Sequence, residues 1–116
     1  MEKILDDLMQ IKNVKGTLLV GKDGLVIASS GDFQHDSDFI GASISELFST
    51  AETISQERFE SGKPLRFFLE TASVAYIIYE VTEETLLAII SDSEANFGII
   101  SIESDNAIKN LKEFLM

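Results

Sequence analysis

The segment from Gly16 to Asp23 has the glycine and lysine spacing of a phosphate-binding loop. In such a loop the backbone amides between the glycines surround the phosphates, and a Ser or Thr after the lysine binds magnesium. Asp23 occupies that position and would repel phosphate. The intervening residues are aliphatic or β-branched and predict a strand, whose amides pair within a sheet. We therefore expect no nucleotide or other cofactor to bind here.

Acidic residues and a lone histidine supply the other candidate ligands. The segment 92–96, Asp-Ser-Glu-Ala-Asn, begins like a calcium loop, but Phe97 stands where such a loop needs its glycine. We interpret this segment as the start of a helix, where acidic groups interact favourably with the helix dipole. His35 lies in the acidic segment 32–38, and we interpret it as a solvated loop residue. The sequence predicts no metal site.

The components of nucleophilic catalysis are missing from the sequence. It contains no cysteine, one histidine and no Gly-x-Ser-x-Gly motif, which removes most pairs of nucleophile and base. Carboxylates are abundant because the chain is acidic: 20 Asp and Glu residues against nine Lys and Arg give a formal charge of −11. We predict that the protein is not an enzyme. The same charge would repel nucleic acids and anionic membranes, which makes both poor candidate partners.

The apolar runs are too short to cross a membrane. The longest lie near 74–79 and 86–90, whereas a membrane-spanning helix needs roughly 20 apolar residues. The chain begins Met-Glu-Lys-Ile-Leu-Asp-Asp, which does not resemble a signal peptide, and the absence of cysteine argues against a disulfide framework. We therefore expect a cytoplasmic protein that folds as one domain over residues 1–116.

Hydrophobic spacing predicts the elements of the first half of the chain. Apolar residues three and four positions apart indicate a helix at 2–12. Two aliphatic runs, 17–21 and 25–30, flank Lys22-Asp23-Gly24 and predict a hairpin whose turn residues adopt positive φ.

A long helix is expected at 37–61. Asp36 or Ser37 can cap its first amides, while Gly62 and Pro64 end it. The residues predicted to share its sheet-facing side are Ile40, Ile44, Leu47, Ala51 and Ile54.

The rest of the sequence, from residue 65 onward, predicts three strands and a last helix. The strands 65–71, 74–81 and 86–91 indicate an antiparallel meander, followed by a helix at 95–114. Both alternating sets of side chains in 74–81 are apolar, so both faces of the sheet need a cover. The predicted fold is of the α/β (α+β) class, with three α/β/α layers. It has a five-stranded antiparallel sheet, the long helix on one face and the two terminal helices on the other.

This order of elements resembles the roadblock / dynein light chain domain family over essentially the whole chain. Two motifs carry the resemblance: the hairpin, Val14 to Val20 and Lys22 to Ser30, and Ala95-Asn96-Phe97-Gly98 at the start of the last helix. The resemblance implies a homodimer in which the third strand pairs with its copy and the long helices pack side by side. Members of the family act as light chains of motor complexes, and as scaffolds or regulators of small Ras-like GTPases, including a type in bacterial polarity and gliding motility.

The residues themselves also favour association. The strand 65–71 is largely apolar, and only Arg66 and Glu70 discourage pairing at its edge. Two aromatic residues on a flank of the long helix could pack against the same partner, unless they only cover the rim of the core. The candidate dimer-interface residues are therefore Leu65, Phe67, Phe68, Leu69, Phe48 and Phe59.

On the long helix, the face opposite the predicted sheet-facing residues carries small and almost entirely uncharged side chains. It would suit a protein partner, although a merely solvated helix face is the alternative interpretation. The candidate partner-binding residues are Ala42, Ser45, Ser49, Thr53 and Gln56.

Our leading hypothesis is a homodimeric, non-catalytic adaptor or regulator that binds a small Ras-like GTPase through the paired long helices. The alternatives are a structural light chain or assembly subunit without a GTPase partner, and a small-molecule sensor, which would need an internal cavity. An arginine can stabilise the transition state of GTP hydrolysis. We expect both arginines to be structural, because Arg58 falls on the sheet-facing arc of the helix and Arg66 lies in a strand. Any stimulation of hydrolysis would then act by positioning residues of the GTPase itself.

Overall fold

The computed structural model describes residues 1–32 and 36–115. Within these residues, three α-helices and five strands follow one another in the predicted order. In chain order they are α1 Glu2–Leu8, β1 Val14–Gly21, β2 Val26–Gly31, α2 Ser37–Thr53, a π-helical turn Ile54–Arg58, β3 Arg66–Glu70, β4 Val74–Thr82, β5 Thr85–Asp92 and α3 Phe97–Leu115.

The five strands form one antiparallel sheet in the order β2-β1-β5-β4-β3. The chain therefore places β5 at the centre between β1 and β4, with Leu19 of β1 opposite Leu87 of β5, and leaves β2 and β3 at the two edges. The five-stranded antiparallel sheet and the edge position of β3 are both as predicted from the sequence.

Helices cover both faces of the sheet, as the two apolar faces of β4 require. Ile77 and Tyr79 point into a core with α1 and α3, whereas Ile78 points the other way, into a core with α2. The first core includes Leu5, Leu8, Leu19, Ile89, Ile100 and Leu111. The second includes Leu18, Val20, Ile44, Phe48, Leu86 and Ala88. The three-layer fold is confirmed.

The terminal helices differ from the prediction mainly in their ends. α1 stops at Leu8, four residues before the predicted end, and the chain turns into β1 through Asn13, whose φ is +74°. α3 begins at Phe97, where the Asn96 side chain accepts a hydrogen bond of 3.1 Å from the Ile99 amide. This cap confirms that the calcium-like segment leads into a helix.

The β1–β2 turn has one residue with positive φ, Gly24 at +93°, so the prediction of several such residues was wrong. The Asp23 carboxylate instead accepts a hydrogen bond of 3.1 Å from the Leu25 amide, which holds the turn without a left-handed aspartate. The phosphate-loop-like segment is mostly strand: its residues to Gly21 belong to β1 and pair with β5.

The long helix ends in a different conformation from the one predicted. Asp36 caps it, accepting a hydrogen bond of 2.9 Å from the Asp38 amide. After Thr53 the helix widens into the π-helical turn, in which the Phe59 amide bonds to the Ile54 carbonyl. Helical structure thus stops at Arg58, three residues before the predicted end at 61, and Gly62 with φ of +89° redirects the chain toward β3.

Candidate functional site

The open edge of β3 is the first part of a candidate contact surface. β3 pairs with β4 on one side only, with Phe68 opposite Ile77. Leu65, just before the strand, is 85% exposed, and Phe68 and Leu69 are also exposed. Exposed apolar side chains beside unpaired backbone groups form a surface that favours addition of another strand.

A shallow groove of about 460 Å³ lies between α2 and β3 and adjoins this edge. Phe67 of β3 forms one wall, and partly buried or polar side chains of the helical segment form the other. The groove is lined by Ser43, Glu46, Leu47, Thr50, Ala51, Ile54 and Phe67. Because Phe67 belongs to both features, the β3 edge and this flank of α2 form one continuous surface, which we call the edge surface.

The helix is rotated about its axis relative to the sequence prediction. Gly41, Ile44 and Phe48 are its buried residues, whereas Leu47 and Ile54, predicted to face the sheet, are only partly buried and line the groove. Gly41 explains the rotation: a Cβ atom there would lie 2.6 Å from Val26 Cγ2, so the glycine allows this side of the helix to contact the hairpin.

Phe48 is therefore not a contact residue, and its assignment to a dimer interface was wrong. Its side chain is 0% exposed and packs in the α2 core. Phe59 follows the π-helical turn and is 74% exposed, so it remains a candidate. The two phenylalanines thus differ, although their shared flank on the predicted helix suggested one role for both.

Four of the five predicted partner-binding residues are exposed on α2 and the π-helical turn: Ala42, Ser49, Thr53 and Gln56. The fifth, Ser45, is partly buried, and its hydroxyl donates a hydrogen bond to the Lys22 carbonyl. Ser45 therefore has a structural role within the chain, between the helix and the β1–β2 turn. Phe39 on the first turn of α2 is also exposed and was not among the predicted contact residues.

Lys22, the lysine of the phosphate-loop-like segment, is neutralised by carboxylates of its own chain. Its Nζ atom lies 2.8 Å from Glu80 Oε2 and 3.4 Å from Glu52 Oε2, and 5.7 Å from the centre of the Phe48 ring. Burial alone lowers the pKa of Lys22, but the hydrogen bonds and charges of Glu80 and Glu52 outweigh it and raise the pKa above its ordinary value of 10.5. A lysine held in this way is not available to a phosphate.

This cluster could not be predicted from the sequence. Glu52 and Glu80 lie 30 and 58 residues from Lys22 in the chain, so no local spacing connects them. The only signal was Lys22 itself, whose position beside a hairpin turn suggested a different chemistry.

The two arginines have different environments. Arg58 is exposed in the π-helical turn, so its predicted place on the sheet-facing arc was wrong, because the helix is rotated and its geometry changes after Thr53. Arg66 lies in β3 as predicted, and its guanidinium donates a hydrogen bond of 3.2 Å to the Ser101 hydroxyl on α3.

A second hollow, of about 540 Å³, is open to solvent beside the β1–β2 turn, where Leu25, Ile27, Glu83 and Glu84 contribute to its lining. Across residues 1–32 and 36–115, no group of three or more His, Asp or Glu side chains could hold a metal ion. His35 lies outside the described residues. No helix in the described part of the chain is both long and apolar enough to cross a membrane.

Comparison with known proteins agrees with this architecture. The model of the Roadblock/LC7 domain family matches residues 1–91. An uncharacterised protein of Methanocaldococcus jannaschii, MJ0714, is 32% identical over 112 residues, which cover 97% of this chain and 93% of the relative. A second protein of the same organism, MJ1340, is 30% identical over the same length.

Two solved structures show the same fold at lower identity. A Roadblock/LC7 domain from Streptomyces avermitilis superposes with a TM-score of 0.93 at 20% identity, covering 100% of this chain and 98% of that one. MglB from Myxococcus xanthus has a TM-score of 0.90, also at 20% identity, covering 98% and 93%. Together, the family match, the archaeal relatives and the fold show that this chain belongs to the Roadblock/LC7 domain family.

Proposed function

We propose that this chain forms a homodimer through its edge surface and acts, without catalysis of its own, as a regulator or scaffold for a small Ras-like GTPase. The observation that carries the proposal is the continuity of the β3 edge with the groove beside α2. A second copy placed on this surface would extend the sheet and at the same time cover the groove.

Dimerisation is supported by the chemistry of the edge surface. Leu65 and Phe59 are among the most exposed large apolar side chains of the described residues, and both lie next to the groove-forming elements. Burial of such side chains against a copy removes apolar area from water, and each Å² removed contributes about 25 cal/mol of favourable free energy. The paired β3 strands would in addition satisfy backbone groups that lack a neighbour in the monomer.

The GTPase would dock on the outward side of the paired α2 helices. Ala42, Ser49, Thr53 and Gln56 lie there with small or uncharged side chains, in a chain whose surface is otherwise acidic. A similarity to MglB proteins, among them the gliding protein MglB of Thermus thermophilus, supports a role in GTPase regulation, because the family resemblance includes such regulators.

Affinity capture with nucleotide-loaded GTPases tests the docking face. Immobilised protein is incubated with lysate of its own cells containing excess GDP or a non-hydrolysable GTP analogue, and bound small GTPases are identified by mass spectrometry. We expect nucleotide-dependent capture by the native chain, and its loss in the variant Thr53→Arg with Ser49→Arg, because two large cations disrupt a closely packed contact.

The matched control places an arginine far from α2. Asn106→Arg adds the same group to the exposed surface of α3 and leaves capture intact. If the α2 variant captured the same GTPases as the native chain, docking on this face would be wrong. Capture of motor or assembly subunits alone would instead favour the structural light-chain alternative.

A further inference from the structure

We propose that β3 pairs with β3 of a second copy in a single antiparallel register centred on Phe68, with Arg66 of each copy opposite Glu70 of the other. This inference rests on the homodimer of the proposed function and specifies which residues meet. It follows from three properties of β3: the direction of its backbone groups, the division of its side chains between two faces, and the order of its charges.

The hydrogen bonds at the end of β3 show which backbone groups are open. The Thr71 amide donates a hydrogen bond of 2.8 Å to the Val74 carbonyl, and the register continues without a shift to Arg66 opposite Tyr79. Because successive peptide groups in a strand point to opposite sides, Phe67 and Leu69 also direct theirs toward β4. Arg66, Phe68 and Glu70 direct theirs to the open edge.

The side chains of the same three residues share one face of the sheet. Phe68 lies opposite Ile77 and makes an edge-to-face contact with Phe97 of α3, with ring centres 5.0 Å apart. Arg66 also reaches α3, through Ser101. Phe67 lies on the other face, partly buried against the α2 core. Across a twofold axis each face therefore meets the same face of the copy.

Charge selects among the registers that the backbone allows. With the axis at Phe68, all five residues of β3 pair, and the positive charge of Arg66 faces the negative charge of Glu70 twice. An axis at Arg66 or Glu70 would place like charges directly opposite each other, which is destabilising. An axis at Phe67 or Leu69 shortens the overlap and leaves both charges opposite uncharged residues.

In the Phe68 register the two Phe68 side chains lie opposite each other, next to both Phe97 rings. Aromatic cross-strand pairs are among the favourable ones in antiparallel sheets. On the other face Phe67 of one copy lies opposite Leu69 of the other, so apolar residues meet above the groove. Both faces of the extended sheet are then matched in character.

Single cysteine substitutions test the register directly, because the native chain contains no cysteine. In a buffer of reduced and oxidised glutathione, where the oxidised form accepts the two electrons, we expect Phe68→Cys to form a disulfide with its own copy. Paired strand residues lie about 5.5 Å apart at Cα, within bonding range. Phe67→Cys and Leu69→Cys should each fail to link alone, because diagonal partners are roughly 7–8 Å apart. An equal mixture of these two variants should link.

Charge exchange gives a second, independent readout. Arg66→Glu and Glu70→Arg each create two like-charge pairs in the homodimer, and we expect each to raise its dissociation constant roughly 10- to 30-fold. Mixed together, the two variants restore both opposite-charge pairs and should form a heterodimer within about threefold of the native affinity. Sedimentation velocity measures both. Glu83→Arg, the same charge change in the exposed β4–β5 turn, is the control and should leave the affinity unchanged.

The outcomes separate this inference from the proposed homodimer. Self-linking of Phe67→Cys or Leu69→Cys, or no rescue on mixing the charge variants, would overturn the register while a dimer remained. A native chain that sediments as a monomer at tens of micromolar would overturn the homodimer and the register together. Circular dichroism of each variant shows that it is folded.

Discussion

Lys22 connects three elements of the fold through one ammonium group. It follows β1, and its two carboxylate partners belong to α2 and β4, while the Phe48 ring lies beneath it. All three charged side chains are mostly buried, so they are less screened by solvent than a surface pair. Removal of the cation leaves two carboxylates close together without a counter-charge.

Lys22→Met should therefore destabilise the protein. We expect the free energy of unfolding to fall by about 1–2 kcal/mol, because partly buried carboxylates lose their hydrogen-bond donor. Urea denaturation followed by circular dichroism measures the change. Lys3→Met is the control, since the Lys3–Asp7 pair on α1 is exposed and should contribute less than about 0.5 kcal/mol. Equal effects of the two substitutions would contradict a structural role for the cluster.

The raised pKa of Lys22 also predicts a dependence on alkaline pH. A group whose pKa is higher in the folded chain stabilises fully below its unfolded value, here 10.5, and loses that contribution as the pH rises through the folded value. We expect the difference in unfolding free energy between the native chain and Lys22→Met to be constant up to about pH 10 and to shrink above it. If the difference in unfolding free energy grew with pH instead, the pKa of Lys22 would be lowered, not raised, in the folded chain.

At the scale of elements, the position of α2 depends on a glycine contact. Gly41 lies against Val26 and near the Gly24 carbonyl, at distances that leave no room for a Cβ atom. The close contact turns Ile44 and Phe48 toward the sheet and leaves Leu47 and Ile54 beside the groove. The edge surface therefore exists in part because of a residue that is not on it.

Gly41→Ala tests this dependence. Alanine favours a helix over glycine by about 1 kcal/mol, yet we expect a net loss of roughly 1–3 kcal/mol in unfolding free energy, because the new methyl group collides with Val26. In a Val26→Ala background the same substitution should cost less. Chemical denaturation of the native chain, the two single variants and the double variant gives the coupling free energy between Gly41 and Val26. Additive effects would mean that the two residues do not meet.

The presence and order of the strands and the starts of α1 and α2 could be predicted from local residues, whereas the rotation of α2 could not. Alternation in 74–81 correctly assigned Ile77 and Ile78 to opposite faces, and one of the two predicted caps of α2, Asp36, is the cap observed. The apolar arc of α2 is wide enough to allow two orientations, and the choice depends on Gly41 meeting a residue of β2. Lys22 was misleading for the same reason, because its partners are distant in the sequence.

At the scale of the whole molecule, the net charge opposes association, and the segment leading into β3 opposes it less than the average surface does. Each copy carries −11, so two copies repel each other at long range. The segment 58–66, which leads into β3, contains three basic residues and one acidic residue. This local excess of positive charge reduces the repulsion where two copies meet at the edge surface.

Leu65→Asp should convert the dimer into a monomer. Leu65 is largely exposed in the single chain, so the substitution should leave the monomer folded, as circular dichroism would show, while it places a charge in the expected interface. Light scattering at tens of micromolar should give a mass near 12.8 kDa for this variant and twice that for the native chain. Leu25→Asp is the control, because Leu25 is 69% exposed at the opposite edge of the sheet. Equal masses for both variants would exclude the β3 edge as the interface.

The order of charges along β3 has a consequence for evolution after gene duplication. A strand with a cation at one end and an anion at the other is complementary to its own reversed copy, so it selects identical chains as partners. Exchange of both charges within one gene copy would preserve pairing among its own products and penalise pairing with the parent. Two substitutions could thus divide one population of subunits into two that no longer mix.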